Sequence, residues 1–471
     1  MPVVPPRPRL TVSGILTRGY FPPELPPPFK TESFAVAMAS TRRSRLPSDF
    51  TKEKNEWCDF VPYSLSRPGS LRRRLAIVNP LPYFRLAKFI VDNQAVLLRK
   101  AAESHLSLGK VVVSGGGWLR RENRIEAISQ HRATFRVGEH FLLAADVSRF
   151  YPSIYTHSIE WAITSKARAK RRLMTRQNRP SVGSALDALV RACQSGQTRG
   201  IPIGPAASTL ISEILLTRID AKLKARKILH GFRYADDYEL TFSERSQAER
   251  ALTLLEDALT ELELELNPVK TAIYELPQEL DNPGVQELRK FEFRTRYRSE
   301  RSDLLQFFTR AFDLQRKFPD QAILRYAVSR LSPATVKAAN AALMQALILQ
   351  AVTYEPGVWR MAINKLRLLH ISYPATDRNN IGIVLHAMIR KSAPLNHSSE
   401  VAWSLWAALI FGLTISKAAV NDVMKMADDC STLLLLHAAE RGLTETKPRV
   451  SSVTRLLYPG VLRGPHWLVA Y

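Results

Sequence analysis

The sequence predicts an α+β region followed by an all-α region, and three patterns carry that prediction. Phe141 to Ala145 is a short, wholly apolar run that reads as a buried strand, with Asp146 emerging at its end. Phe232, Tyr234, Tyr238, Leu240 and Phe242 alternate with polar residues around Ala235-Asp236-Asp237, as two strands joined by a tight acidic turn would. Beyond about residue 300, apolar residues recur at helical spacing in segments separated by prolines. A chain of 471 residues has room for about two to four domains, and 45% hydrophobic composition supplies real cores, which excludes a disordered protein.

In chain order, the first 40 residues are punctuated by proline, most densely from Phe21 to Phe29, where neither regular helix nor a central strand can form. A proline-rich extended arm is therefore expected over residues 1–45, with Phe21, Leu25 and Phe29 as anchors onto the body of the protein or a neighbouring subunit. Arg67, Arg72, Arg73 and Arg74 then crowd one stretch just before the apolar Leu75-Ala76-Ile77-Val78-Asn79-Pro80. Residues 161 to 186 hold Lys166, Arg168, Lys170, Arg171, Arg172, Arg176 and Arg179 without an acid. A charge run of this kind is either solvated surface or a nucleic-acid contact.

Gly200 and Gly204 bracket a proline-stiffened loop in which missing side chains let backbone approach a partner closely, and Pro205 suits the first turn of a helix. That helix should turn Leu210, Ile211, Ile214, Leu215 and Ile219 towards the core. Leu252, Leu255, Leu259, Leu262 and Leu266 predict a further amphipathic helix beneath the sheet, stopped by Asn267-Pro268, with Lys270 past the break. Finally, Phe318-Pro319, Leu331-Ser332-Pro333, Glu355-Pro356, Tyr373-Pro374 and Ala393-Pro394 divide the remainder into a helical array without a repeat of fixed period.

The net charge of +24 favours a polyanionic partner through phosphate neutralisation and counterion release. Cys58, Cys193 and Cys430 are scattered, with no Cys-x-x-Cys, and suggest neither a disulfide framework nor a zinc site. The strongest apolar window, Trp403 to Leu413, is well short of the ~20 residues of a membrane span, and the N-terminus lacks a signal-peptide core. A reducing cytoplasm and no membrane partner are the expectation.

Asp146, Asp236 and Asp237 are the candidate reactive groups. Magnesium takes hard oxygen ligands, so Asp suits it where His or Cys would not. An Asp-Asp pair alone is most often a solvated turn; the neighbouring segments give this one its meaning.

Ala145-Asp146-Val147-Ser148-Arg149-Phe150-Tyr151-Pro152-Ser153-Ile154, Gly200-Ile201-Pro202-Ile203-Gly204-Pro205-Ala206-Ala207-Ser208, Tyr234-Ala235-Asp236-Asp237 and Leu266-Asn267-Pro268-Val269-Lys270-Thr271 resemble motifs A, B, C and D of reverse transcriptases. They come in that family's order and spacing, over roughly residues 60 to 285. The resemblance implies right-hand polymerase fingers and palm over residues 46–285, followed by a thumb-like and C-terminal helical array over 286–471. It implies two Mg²⁺ ions, with Mn²⁺ as a substitute, bound by Asp146 and Asp236, by the Val147 carbonyl, and more weakly by Asp237. Tyr151 would be the steric gate against a ribose 2′-hydroxyl. Gly204, Lys270, Arg72 and Arg74 would meet the nucleotide or pyrophosphate, and Arg168, Lys170, Arg171 and Arg172 the nucleic acid. The implied partners are an RNA template or structured non-coding RNA, the DNA product and deoxynucleoside triphosphates, with a second copy or a partner protein left open.

The chain departs from many reverse transcriptases at Ile203, where a Gln is common. The Gly-Ile-Pro-Ile-Gly-Pro form is similar to that of the abortive-infection and defence-associated reverse transcriptases of bacteria, which implies DNA synthesis against bacteriophage, templated or not, from a nucleic-acid or protein primer. The alternatives are a reverse transcriptase of a mobile retroelement, an RNA-dependent RNA polymerase, against which Tyr151 argues, and an inactive RNA-binding scaffold.

Overall fold

The computed structural model describes residues 8–40, 50, 56–69, 71–122, 125–175, 180–374, 376–454 and 456–471. Two compact units divide the chain: one of Met1–Pro23, Phe29–Phe60 and Ala76–Leu280, the other of Glu24–Pro28, Val61–Leu75 and Asp281–Tyr471. Residues 61–75, expected with the fingers and palm, thus belong to the second unit. In chain order the named strands are β1 (Val61–Ser66), β2 (Arg72–Ile77), β3 (Val111–Val113), β4 (Leu119–Arg121), β5 (Phe141–Asp146), β6 (Gly231–Tyr234), β7 (Asp237–Phe242) and β8 (Ala272–Glu275).

The first unit is α+β. Its sheet has the order β6-β7-β5-β8, with every neighbouring pair antiparallel. The apolar run forms β5 with Leu142, Leu143 and Ala145 buried, and the acidic turn joins β6 to β7. The helix Ala206–Ala225 buries Leu210, Ile211, Ile214, Leu215 and Ile219, all five of the residues expected to face inwards. With the helix Arg245–Thr260, it closes one continuous core over the sheet.

Two expectations need correction. The leucine-striped helix ends at Thr260 rather than running to Asn267. Glu263 turns left-handed (φ +59°), and the following residues pair with the end of β5: Val147 bridges Leu266, and the Ser148 amide donates to the Glu265 carbonyl at 2.8 Å. Tertiary pairing thus takes the last leucine off the helix.

The N-terminal arm is not extended throughout. Prolines forbid helix only where they stand, and the helices Val12–Arg18 and Glu32–Ser40 flank the Pro22–Pro28 stretch. Leu10, Ile15, Leu16 and Tyr20 are buried in the core of the first unit. Tyr20 stacks on Tyr83 at 4.4 Å between centroids and its hydroxyl donates to the Val78 carbonyl at 2.6 Å.

The second unit is helical apart from the β1–β2 hairpin. Its helices Tyr297–Lys317, Ile323–Arg330, Ala341–Tyr354, Trp359–Ser372, Arg378–Ser392 and Ser398–Phe411 are separated at each of the five proline breaks read from the sequence. Phe307, Phe308, Ile323, Trp359 and Leu385 are fully buried, whereas Leu305 faces solvent. The hairpin packs on the Ser398–Phe411 helix. Cys58, Cys193 and Cys430 are buried, and no described helix is long and apolar enough to cross a membrane.

Candidate active site

Antiparallel register decides which acids meet. Asp146, the last residue of β5, lies directly opposite Asp237, the first of β7. Such partners have Cα atoms about 4.5–5.5 Å apart. Asp236 precedes Asp237 in the turn, next to Ala235, whose φ of +54° is left-handed. That conformation costs an alanine about 1–2 kcal/mol, so the surrounding structure must impose it.

Asp146 is held from two directions. Its Oδ2 accepts a hydrogen bond from Asn267 Nδ2 at 3.0 Å and lies 3.3 Å from Lys270 Nζ. Its main-chain carbonyl accepts from the Asn267 amide at 2.7 Å, and buried Val147 follows it into the bridge with Leu266. Lys270, expected at a pyrophosphate, therefore sits on the first carboxylate, with its own side chain largely in solvent.

The Asp237 carboxyl is pushed up to about 7 by desolvation, by repulsion from Asp236, and by a hydrogen bond with and repulsion from Asp146, with Lys270 pulling the other way. The residue nevertheless keeps an exposed face. Of these causes, the crowding of like charge is the one a bound cation relieves.

Hard oxygen donors, excess negative charge and an ammonium at one carboxylate fit a divalent cation. Among the described residues, however, no three His, Cys, Asp or Glu side chains already converge as a ready-made metal cage. The donors suit the ion chemically without being gathered in advance.

The glycine loop is built into the same unit. Gly200 (φ +82°) donates its amide to the Ile154 carbonyl at 2.7 Å, and Ile201 to the Tyr151 carbonyl at 3.0 Å, which ties the loop to the turn after β5. The Tyr151 hydroxyl is 3.1 Å from Ser212 Oγ on the helix that leaves the loop. The Ile203 carbonyl accepts from the Ala76 amide at 2.8 Å. Gly204 (φ +125°) faces the N-terminal arm: a Cβ there would lie 2.5 Å from Pro22 Cγ. Its open space thus seats a proline of this chain, and the neighbouring Ala206 amide donates to the Gly19 carbonyl at 2.8 Å.

The predicted basic residues divide. Arg168, Lys170 and Arg171 are exposed on the helix Lys166–Met174, whereas Arg172 pairs with Glu160 at 3.3 Å and Lys166 with Glu263 at 2.9 Å. Arg176 and Arg179 lie outside the described residues. In the second unit Arg74 is exposed. Arg72, expected at a nucleotide, instead grips Glu400 with two nitrogens at 2.6 and 2.7 Å, and Ser64 with the rest of its guanidinium. Buried Glu400 needs that counter-charge.

Sequence reading missed three residues that shape the site. Asn267 was read as a helix stop and proves to hold Asp146. Pro22, part of the expected extended arm, proves to fill the space at Gly204. Arg233, fully buried, is bound by Glu213 and Asp220 and donates to the Ala235 carbonyl at 2.7 Å. The available signal was two acids seven residues apart on the apolar face of one helix, a spacing that requires a buried cation.

Residues 119–293 match the family model described as Reverse transcriptase (RNA-dependent DNA polymerase). The chain therefore carries a reverse transcriptase domain, and its activity class is nucleotidyl transfer by an RNA-directed DNA polymerase. Enzymes of this family generally use divalent metal ions. No curated protein matches the chain. Among solved structures, apo telomerase from Candida tropicalis is similar at 13% identity and a TM-score of 0.34, over 81% of this chain and 68% of its own.

Proposed function

We propose that the chain adds deoxynucleotides to a 3′-hydroxyl with two Mg²⁺ ions held by Asp146, Asp236, Asp237 and the Val147 carbonyl, Mn²⁺ serving as a substitute. The observation that carries this reading is the register that sets Asp146 against Asp237 with Asp236 in the adjoining turn. Ions so bound would lower the pKa of the attacking hydroxyl and neutralise charge on the α-phosphate and the departing pyrophosphate.

The protein's own contribution is to hold and aim. Asn267 fixes one oxygen of Asp146. Lys270 compensates the same oxygen, and its exposed side chain would be free to reach a departing pyrophosphate. The Tyr151 ring, tethered through Ser212, excludes a ribose 2′-hydroxyl and so favours deoxynucleotides. Exposed Arg168, Lys170 and Arg171 contact phosphates of an RNA template or a structured RNA. The Gly-Ile-Pro-Ile-Gly-Pro loop and the helical C-terminal region support a place in bacterial antiphage defence, in the cytoplasm.

Purified protein given poly(rA) annealed to oligo(dT), with Mg²⁺, should extend the primer with dTTP far better than with UTP. Asp236→Asn should abolish extension. Equal extension by that variant, or preference for UTP, overturns the reading. In bacteria challenged with phage, protection lost only in Asp236→Asn supports defence by synthesis, whereas equal protection favours the scaffold.

A further inference from the structure

One charged cluster of the first unit lies outside the acidic site and yet touches it. Arg233 stands in β6, three residues before Asp236, with no exposure to solvent. Its Nη2 donates to Glu213 Oε1 at 2.8 Å and to Asp220 Oδ2 at 2.7 Å, and its Nε lies 3.1 Å from Asp220 Oδ2. Both acids belong to the helix Ala206–Ala225, which begins where the glycine loop ends. Their remaining valences are filled: Tyr238 Oη and Ser104 Oγ donate to Asp220, and Arg121 Nη1 to Glu213. The last guanidinium nitrogen, Nη1, donates to the Ala235 carbonyl at 2.7 Å. The backbone of Arg233 is pinned as well, its amide donating to the Leu106 carbonyl and its carbonyl accepting from the Leu108 amide.

A planar guanidinium can satisfy two carboxylates and a carbonyl at once in a fixed geometry. The carbonyl it takes belongs to the left-handed residue immediately before Asp236. The two-residue connection between paired Tyr234 and Asp237 calls for a positive φ at its first position, which an alanine resists, and the bond from Arg233 is a second restraint that holds it there.

We propose that Arg233 is a positioning residue for the acidic turn: locked on Glu213 and Asp220, it holds the Ala235 carbonyl, fixes the direction in which Asp236 points, and ties that direction to the helix that carries the glycine loop. The proposal rests on the reading of Asp236 as a ligand of the reacting centre. It assigns the buried cluster to geometry as well as stability.

The test compares four proteins: wild type, Arg233→Lys, Glu213→Gln and Arg121→Met. An ammonium in place of the guanidinium keeps the charge but cannot span both acids and the carbonyl. Glu213→Gln loosens the tether while Asp220 still neutralises Arg233. Arg121→Met removes a partner of the same Glu213 that does not touch the turn.

Two readouts are taken beside thermal melting: extension of oligo(dT) on poly(rA) with dTTP, and Mn²⁺ affinity by electron paramagnetic resonance. Arg233→Lys should lose about 10²-fold in kcat, the scale set by a misplacement of about 1 Å, with the KM for dTTP nearly unchanged and Mn²⁺ affinity weakened. Glu213→Gln should show the same pattern, smaller, and Arg121→Met should lower the melting temperature while leaving both readouts within about twofold of wild type.

If Arg233→Lys fails to fold, Glu213→Gln carries the decision. A folded variant of either kind with wild-type kcat and Mn²⁺ affinity overturns the positioning role, and so does Arg121→Met if it loses as much kcat as Glu213→Gln at equal loss of stability. Wild-type protein that binds no Mn²⁺ overturns the metal reading and this proposal together, whereas normal wild-type binding with unaffected variants overturns this proposal alone.

Discussion

Two sets of carboxylates meet one hairpin in opposite electrostatic states. Glu213 and Asp220 are buried, yet Arg233, Arg121, Tyr238 and Ser104 supply counter-charge and hydrogen bonds around them. Burial pushes the Glu213 carboxyl up, but Arg233 and Arg121 outweigh it and hold the group below the usual range. At the end of β5 and in the β6–β7 turn, Asp146 lies 3.3 Å from the largely exposed Lys270, and Asp237 is held up near 7. The first set has its counter-ion built into the fold. In the second, like charge crowds Asp237, and a bound cation can relieve that crowding.

The sharpest break in this comparison is activity. Asp146→Asn or Asp236→Asn should cost ~10³-fold or more in kcat, with circular dichroism and melting close to wild type, because the amide keeps the shape of the side chain but not the charge that would hold the ion. Primer-extension kinetics check this. A variant that loses its fold along with its activity would place Asp146 in the structural class.

The compensated class makes the opposite prediction, and the second unit provides a clean case. Arg72→Ala leaves Glu400 buried without its bidentate partner and should cost that unit about 3 kcal/mol. Arg73→Ala, on an exposed side chain of the same hairpin, should stay within about 0.5 kcal/mol. Urea melts of the two variants separate them.

How much was legible in the sequence follows the same division between local and distant causes. The strand ending at Asp146, the acidic turn and the five proline breaks are written in neighbouring residues, and each stands where it was read. The early end of the Arg245–Thr260 helix was not legible, because its cause is pairing of Glu265 and Leu266 with residues more than a hundred positions away. The two helices of the arm were missed by extending to the whole arm a prohibition that prolines impose only locally. Arg72 looked like its basic neighbours until Glu400 folded against it. Arg233 sat among alternating residues as though it faced water.

A middle-sized effect tests whether the glycine loop is shaped by this chain or kept open for a ligand. Gly204→Ala places a Cβ against Pro22 and forces alanine to a φ of +125°, so it should destabilise the first unit by about 1–3 kcal/mol. Pro22→Ala combined with it should recover only the part due to the clash. A Gly204→Ala protein with wild-type melting but raised KM for the nucleotide would return this glycine to the ligand.

The smallest effect carries the opposite sign. In metal-free protein the Asp237 carboxyl titrates near 7 rather than at its ordinary 3.8, so between those values the folded form binds more protons than the unfolded one. Stability from this group is complete below the ordinary value and is lost as pH rises through about 7. Asp237→Asn removes the loss: metal-free melting should depend less on pH across that window and lie higher at alkaline pH, by ~1 kcal/mol or less given the group's exposed face. Mg²⁺ at alkaline pH should raise the melting temperature of wild type more than that of the variant, since an ion that binds only the folded form stabilises by mass action. A metal-free Asp237→Asn protein that melts lower than wild type at alkaline pH would show that the turn's charge is already balanced, and the two sets of carboxylates would then belong to one class.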